Sequence, residues 1–285
     1  MATSATTDLF GFVQLEFGFL LGPPDGRYLV RDQPGADQPD NEEPDAIFIL
    51  RTLGAPERRL LRRRRGRAVQ EAEPEPVPTS RATLIRTEPF GSRDEAESWL
   101  SGVRQDSERA DAELRLAVRR LSHALHAQRV AAADPHVPEA TPDKALAVRI
   151  GFGAGEQVAD GRYTSAWALP GEARRRAKRS MEAPDERFAA ILGGREQVLA
   201  SEELVLRARS DLDAGRTREA ALQARVALEA LLAELPAADL GGDRGPVGAA
   251  ANAALRGNLS NESAAGIAEA VERMEAALKR RRLGA

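Results

Sequence analysis

The chain contains no cysteine, which removes disulfides, thiolate metal sites, iron–sulfur clusters and cysteine nucleophiles from consideration. Lysine is nearly absent too: it occurs only at Lys144, Lys178 and Lys279, so 38 of the 41 basic residues are arginine. High-GC codon usage produces such a skew, together with the heavy use of alanine. An arginine at any one position is therefore weak support for a required guanidinium fork. Aromatic residues make up only 4% of the chain, and histidine occurs at three places, His123, His126 and His136. Imidazole chemistry is thus confined to one helix end and the loop after it. No stretch of about 18 apolar residues exists, and Asp8 stands where a secretory signal would carry a basic residue. The expectation is a cytoplasmic protein that does not engage a membrane.

What is present has an ordinary globular composition. The 285 residues carry a formal charge of −3, with 30% charged and 42% hydrophobic residues, far from the disordered and membrane classes. The length suggests about two domains.

The pattern of the chain predicts an α+β fold class, with a mixed α+β domain at 8–170 and an α-helical bundle domain at 171–285. Val13, Leu15, Phe17, Phe19 and Leu21 alternate with polar or small residues, the mark of a half-buried strand. Gly22-Pro23-Pro24-Asp25-Gly26 then reads as a reversal leading to Tyr28-Leu29-Val30 as the returning hairpin strand. Ala46–Leu53 is a short apolar run suited to a strand buried on both faces. Residues 55–80, rich in Arg, Pro and Glu, read as a disordered insertion. A strand at Ala82–Thr87 leads to Ser92 and Glu95 at capping-box spacing, where a helix begins. That helix runs to about Val130, with a possible break at Ser101-Gly102. Leu146, Val148, Ile150 and Phe152 mark another strand, turned at Asp160-Gly161 toward Tyr163–Leu169.

From Gly171 the period is helical. Ile191, Val198, Val205 and Leu212 predict one helix ending at Ala214-Gly215. Its partner, carrying Leu222, Val226, Leu228 and Leu231, stops at Pro236, and two further helices follow, the last capped at Ser260 or Asn261. The small residues of the hairpin, Gly215, Ala220, Ala221, Ala224 and Ala227, resemble a tetratricopeptide unit. A solenoid needs about three repeats, and one candidate is present.

Motifs that would carry chemistry mostly dissolve on inspection. His123 and His126 are three apart but have no third ligand nearby in sequence. Arg120 followed by His126 resembles the short signature of HEPN ribonucleases; Leu121 replaces the polar residue expected after the arginine, and six helical positions put the two side chains on different faces. Gly151, Gly153 and Gly155 follow a strand, yet Glu156 stands where a dinucleotide loop needs its third glycine. Asp211, Asp213 and Gly215 lack the glutamate that completes a calcium loop, since Leu222 occupies its place. The adjacent pairs Glu42-Glu43 and Glu202-Glu203 read as solvated surface. No catalytic, cofactor-binding or metal-binding residue is assigned, and the chain is expected not to be an enzyme.

Two roles remain. The first is a non-enzymatic interaction or scaffold protein acting through its helical C-terminal region, where the stripe Ile267, Val271, Met274 and Leu278 would meet a protein partner or a second copy. The alternative is a nucleic-acid-binding accessory protein, with phosphate contacts from Arg58, Arg59, Arg62, Arg63, Arg64, Arg65 and Arg67 and from the basic runs at Arg174–Arg179 and Lys279–Arg282.

Overall fold

In the computed structural model, which describes residues 8–32, 43–54, 77–170, 184–236 and 238–282, the first alternating segment forms β1 (Leu9–Phe17). Five more strands join it: β2 (Gly26–Val30), β3 (Ala46–Leu53), β4 (Thr79–Phe90), β5 (Ala145–Ala154) and β6 (Ser165–Ala168). All neighbours are antiparallel, in the order β2-β3-β4-β1-β5-β6. The fold class is α+β. The hairpin expected between β1 and β2 is not formed: β1 pairs with β4 and β5, while β2 pairs with β3 at the sheet's edge. The reason lies in burial. Phe12 and Gln14 are as buried as Val13 and Leu15, so β1 is a central strand covered on both faces, and a central strand needs two long partners that the five-residue β2 cannot supply.

One sheet face carries Leu15, Phe17, Phe48, Ile150 and Phe152 and packs against α1 (Arg93–Gln105) and α2 (Ser107–Ala131). Ser92 caps α1 by accepting from the Glu95 amide at 3.1 Å, and Glu95 in turn accepts from the Gly91 amide at 2.8 Å. The helix break falls at Asp106 rather than at Ser101-Gly102. Asp106 ends α1 and caps α2, its carboxylate accepting from the amides of Glu108 and Arg109, a stronger stop than glycine alone. The other sheet face is closed by a short 3₁₀ turn, Gly155–Asp160, whose Val158 and Ala159 join Phe12, Ile49 and Ile85 in a second small core.

The described residues fall into two compact units, 8–170 and 184–282. The second is helical: α3 (Pro184–Leu192), α4 (Ala200–Asp213), α5 (Thr217–Glu234), α6 (Arg244–Arg256) and α7 (Asn261–Arg282). The single helix expected across Ile191–Leu212 is interrupted at Gly193-Gly194, where Gly194 adopts φ +69°. Val198 and Leu206 consequently lie exposed. Ala220, Ala221, Ala224 and Ala227 are fully buried along α5, and their small size lets α4, α6 and α7 approach it closely.

Candidate functional site

A wide concavity of the first unit follows from small side chains on α2. This helix buries Leu114, Leu121 and Leu125 against the sheet, while its flank toward β2 presents Ala124, Ala127 and Ala131, too short to fill the space. A groove of about 540 Å³ results between α2 and the sheet edge. Tyr28 and Phe48, stacked with ring centroids 5.7 Å apart, form its floor. The Tyr28 hydroxyl donates to the Pro24 carbonyl at 2.6 Å, which fixes both the ring and the turn that delivers β2.

Among the described residues, Arg31, His123 and Gln128 line the polar rim of the groove. At its end Arg120 grips Asp32 through Nε at 2.9 Å and Nη2 at 2.6 Å, and the Asp32 amide donates to the Asp45 carboxylate at 2.8 Å. The hydrogen bond from Arg120 holds the Asp32 carboxyl below its usual range, and Arg119 and His123 add to that effect. These cations stabilise the charged form of Asp32, and with Asp45 beside it the end of the groove carries groups of both signs.

The opposite sheet face carries a polar cluster with a structural task. Glu16 accepts from Arg81 and Arg149 at 2.9 Å each. The buried Gln14 amide donates to Thr83 and to the Val158 carbonyl at 3.1 Å each. Arg51 pairs with Asp160 and Arg27 with Glu156. These contacts seat the 3₁₀ turn on the sheet.

The second unit holds a buried acid. Glu202, 2% exposed, accepts from Arg187 at 2.9 and 3.0 Å, from Arg282 at 3.1 Å and from the Leu199 amide at 3.2 Å. Burial alone would raise its pKa. The Leu199 amide and the two guanidinium groups outweigh burial and leave it lowered. Only Glu203 of this pair behaves as solvated surface, bonding Arg207 one turn on; Glu202 does not, because it ties α3 and the end of α7 to the start of α4.

The residues singled out from sequence fare unequally. Arg58, Arg59, Arg62, Arg63, Arg64, Arg65 and Arg67 lie outside the described residues, as does the Arg174–Arg179 run. Ile267, Val271, Met274 and Leu278 are at most 3% exposed and form the core of the helical unit with α4, α5 and α6. This corrects their expected use as a partner surface: the stripe is narrow because the chain's own helices cover it. Lys279, Arg280 and Arg281 are exposed at the end of α7, whereas Arg282 is drawn in by Glu202. Among the described residues no group of three His, Asp or Glu is arranged to hold a metal ion, and no helix is long and apolar enough to cross a membrane.

The glycine run has a packing origin. A Cβ at Gly151 would lie 2.3 Å from the Ser165 carbonyl oxygen, and one at Gly153 2.7 Å from Val158. Asp211 pairs with Arg216 at 2.7 Å around a helix end where Gly215 takes φ +76°. The groove itself was not assigned from sequence. Its only signal is the alanine spacing 124, 127, 131 on one flank of α2, which has the same form as ordinary close helix packing. Compared with family models, curated proteins and solved structures, the chain matches none.

Proposed function

We propose that the protein is a non-enzymatic interaction protein and that its binding surface is the groove between β2 and α2. The observation that carries this reading is the groove itself: about 540 Å³, aromatic at its floor, walled by alanines and rimmed by a few polar side chains. Such a lining supplies apolar contact and orientation, which is binding chemistry. The helical region, whose apolar stripe is consumed by its own core, then serves as a second folded unit.

The test is selection of a displayed random-peptide library, about ten residues long, on the full chain and on an Ala127→Trp variant that fills the groove. Ala127 is exposed on α2, so the helix tolerates the larger side chain. Peptides enriched on the wild-type chain and lost on the variant are expected. Selections that return nothing, or return peptides indifferent to the substitution, would remove the groove as the binding surface. Nucleic acid that co-purifies at low salt, is released by about 200 mM salt and is lost when Arg62–Arg65 become Ala would favour phosphate contacts instead.

A further inference from the structure

We infer that α3 is a hinged strap on the helical unit, closed by the grip of Arg187 on Glu202 and Glu196 and able to swing on the connection that begins at Gly193-Gly194. This device belongs to the second unit and is independent of the groove in the first.

Apolar packing does not hold the helix in place. Of the side chains described on α3, residues 187–192, none is buried: Phe188 is 65% and Leu192 76% exposed, and Ile191 is only partly covered. None of them belongs to the core of the helical unit or packs against it, whereas α4, α5, α6 and α7 all contribute to that core. A helix of nine residues is marginal on its own in water. Its attachment must therefore come from polar contacts.

Among the described side chains of α3, Arg187 supplies them. It donates through Nε to Glu196 at 2.8 Å and through Nη2 to the two carboxylate oxygens of Glu202 at 2.9 and 3.0 Å. Glu196 lies in the connection between α3 and α4, and Glu202 in the first turn of α4, so the guanidinium fork reaches across the joint that it closes. At the start of that joint Gly194 takes φ +69°, and a Cβ built there meets nothing within 4 Å. Glycine therefore serves backbone freedom here and not close packing. The chain then runs through the exposed Arg195, Gln197 and Val198 before the Leu199 amide fixes it again on Glu202.

The other partners of Glu202 make the grip releasable. When Arg187 leaves, the buried carboxylate still accepts from Arg282 at 3.1 Å and from the Leu199 amide at 3.2 Å, while Arg187 and Glu196 pass into water. Opening exchanges ion pairs for hydration and strands no bare charge in the interior, which is the costly way to break a buried pair. The four-helix core stays as it was.

Native-state amide hydrogen exchange on the full chain tests the strap. The amides of Phe188–Leu192 should exchange at least about a hundredfold faster than those of Val205–Ala208 in α4, because α3 opens without the core. Arg187→Gln should speed the α3 amides by at least a further tenfold, about, and leave those of α4–α7 unchanged. Wild-type exchange in α3 as slow as in α4 would make α3 part of the cooperative core and overturn the inference. So would a variant in which α4–α7 exchange faster together with α3, one in which α3 is unaffected, or one that circular dichroism shows to be unfolded.

Discussion

Glu202 shows what a single buried charge does in this chain. With two arginines and a backbone amide around it, it is satisfied; replaced by glutamine, it would leave two partly buried guanidinium groups short of a counter-charge. We expect Glu202→Gln to cost on the order of 3 kcal/mol in urea unfolding at neutral pH, and a loss below about 1 kcal/mol would show the pairing to be incidental. Asp32 and Glu202 both titrate lower in the folded chain than in the unfolded one. The folded state therefore binds fewer protons than the unfolded state as pH passes between the two values. Their stabilisation is complete above the unfolded carboxylate range of about 3.9–4.3 and is lost as pH falls through the lower folded values. Asp32→Asn should flatten the acid limb of the unfolding profile for the first unit, and an unchanged profile would contradict the assignment. Neither acid stood out in the sequence. Glu202 shares its pattern with the exposed Glu203, and Asp32 meets Arg120 only through a contact spanning 88 positions.

Gly151 and Gly155 separate two reasons for a glycine that look alike in sequence. At Gly151 the obstacle to a side chain is the backbone of β6, 2.3 Å from a built Cβ, whereas at Gly155 nothing lies within 4 Å and only φ +56° resists substitution. Gly151→Ala is accordingly expected to destabilise the first unit by roughly 2 kcal/mol or more and to red-shift the fluorescence of Trp167 on β6 as that strand loosens. Gly155→Ala should cost about 1 kcal/mol and leave the emission unchanged. Equal effects would show that close approach is not what glycine serves at 151. Most elements were legible because their periods are local. The capping residues Ser92 and Ser260, the continuous apolar run of β3 and the alternation in β5 act within a few residues. Strand partnering was not legible, since the burial of Phe12 and Gln14 depends on a turn contributed by residues about 140 positions later. The stop at Gly193-Gly194 was present in the sequence, but the heptad columns on either side masked it.

Each unit has its own core, and no residue of the main cores is shared between them. Both tryptophans, Trp99 and Trp167, belong to the first unit. Tryptophan emission therefore reports that unit, whereas far-ultraviolet dichroism is weighted toward the helical one. Met274→Ala should shift the dichroism transition and leave the fluorescence transition in place, because it opens a cavity only in the helical core; a joint shift would mean that the two units unfold together. The groove is a property of the first unit alone, built where an alanine flank meets an edge strand, and the proposed function rests on its being filled by a partner. Amide hydrogen exchange across Gly26–Val30, with and without a saturating groove-dependent peptide, examines this without any substitution. The amides of β2 should slow by at least about tenfold on binding, because a filled groove suppresses local opening of the strand that walls it. Exchange that stays unchanged at β2 while other segments become protected would show that the partner sits elsewhere.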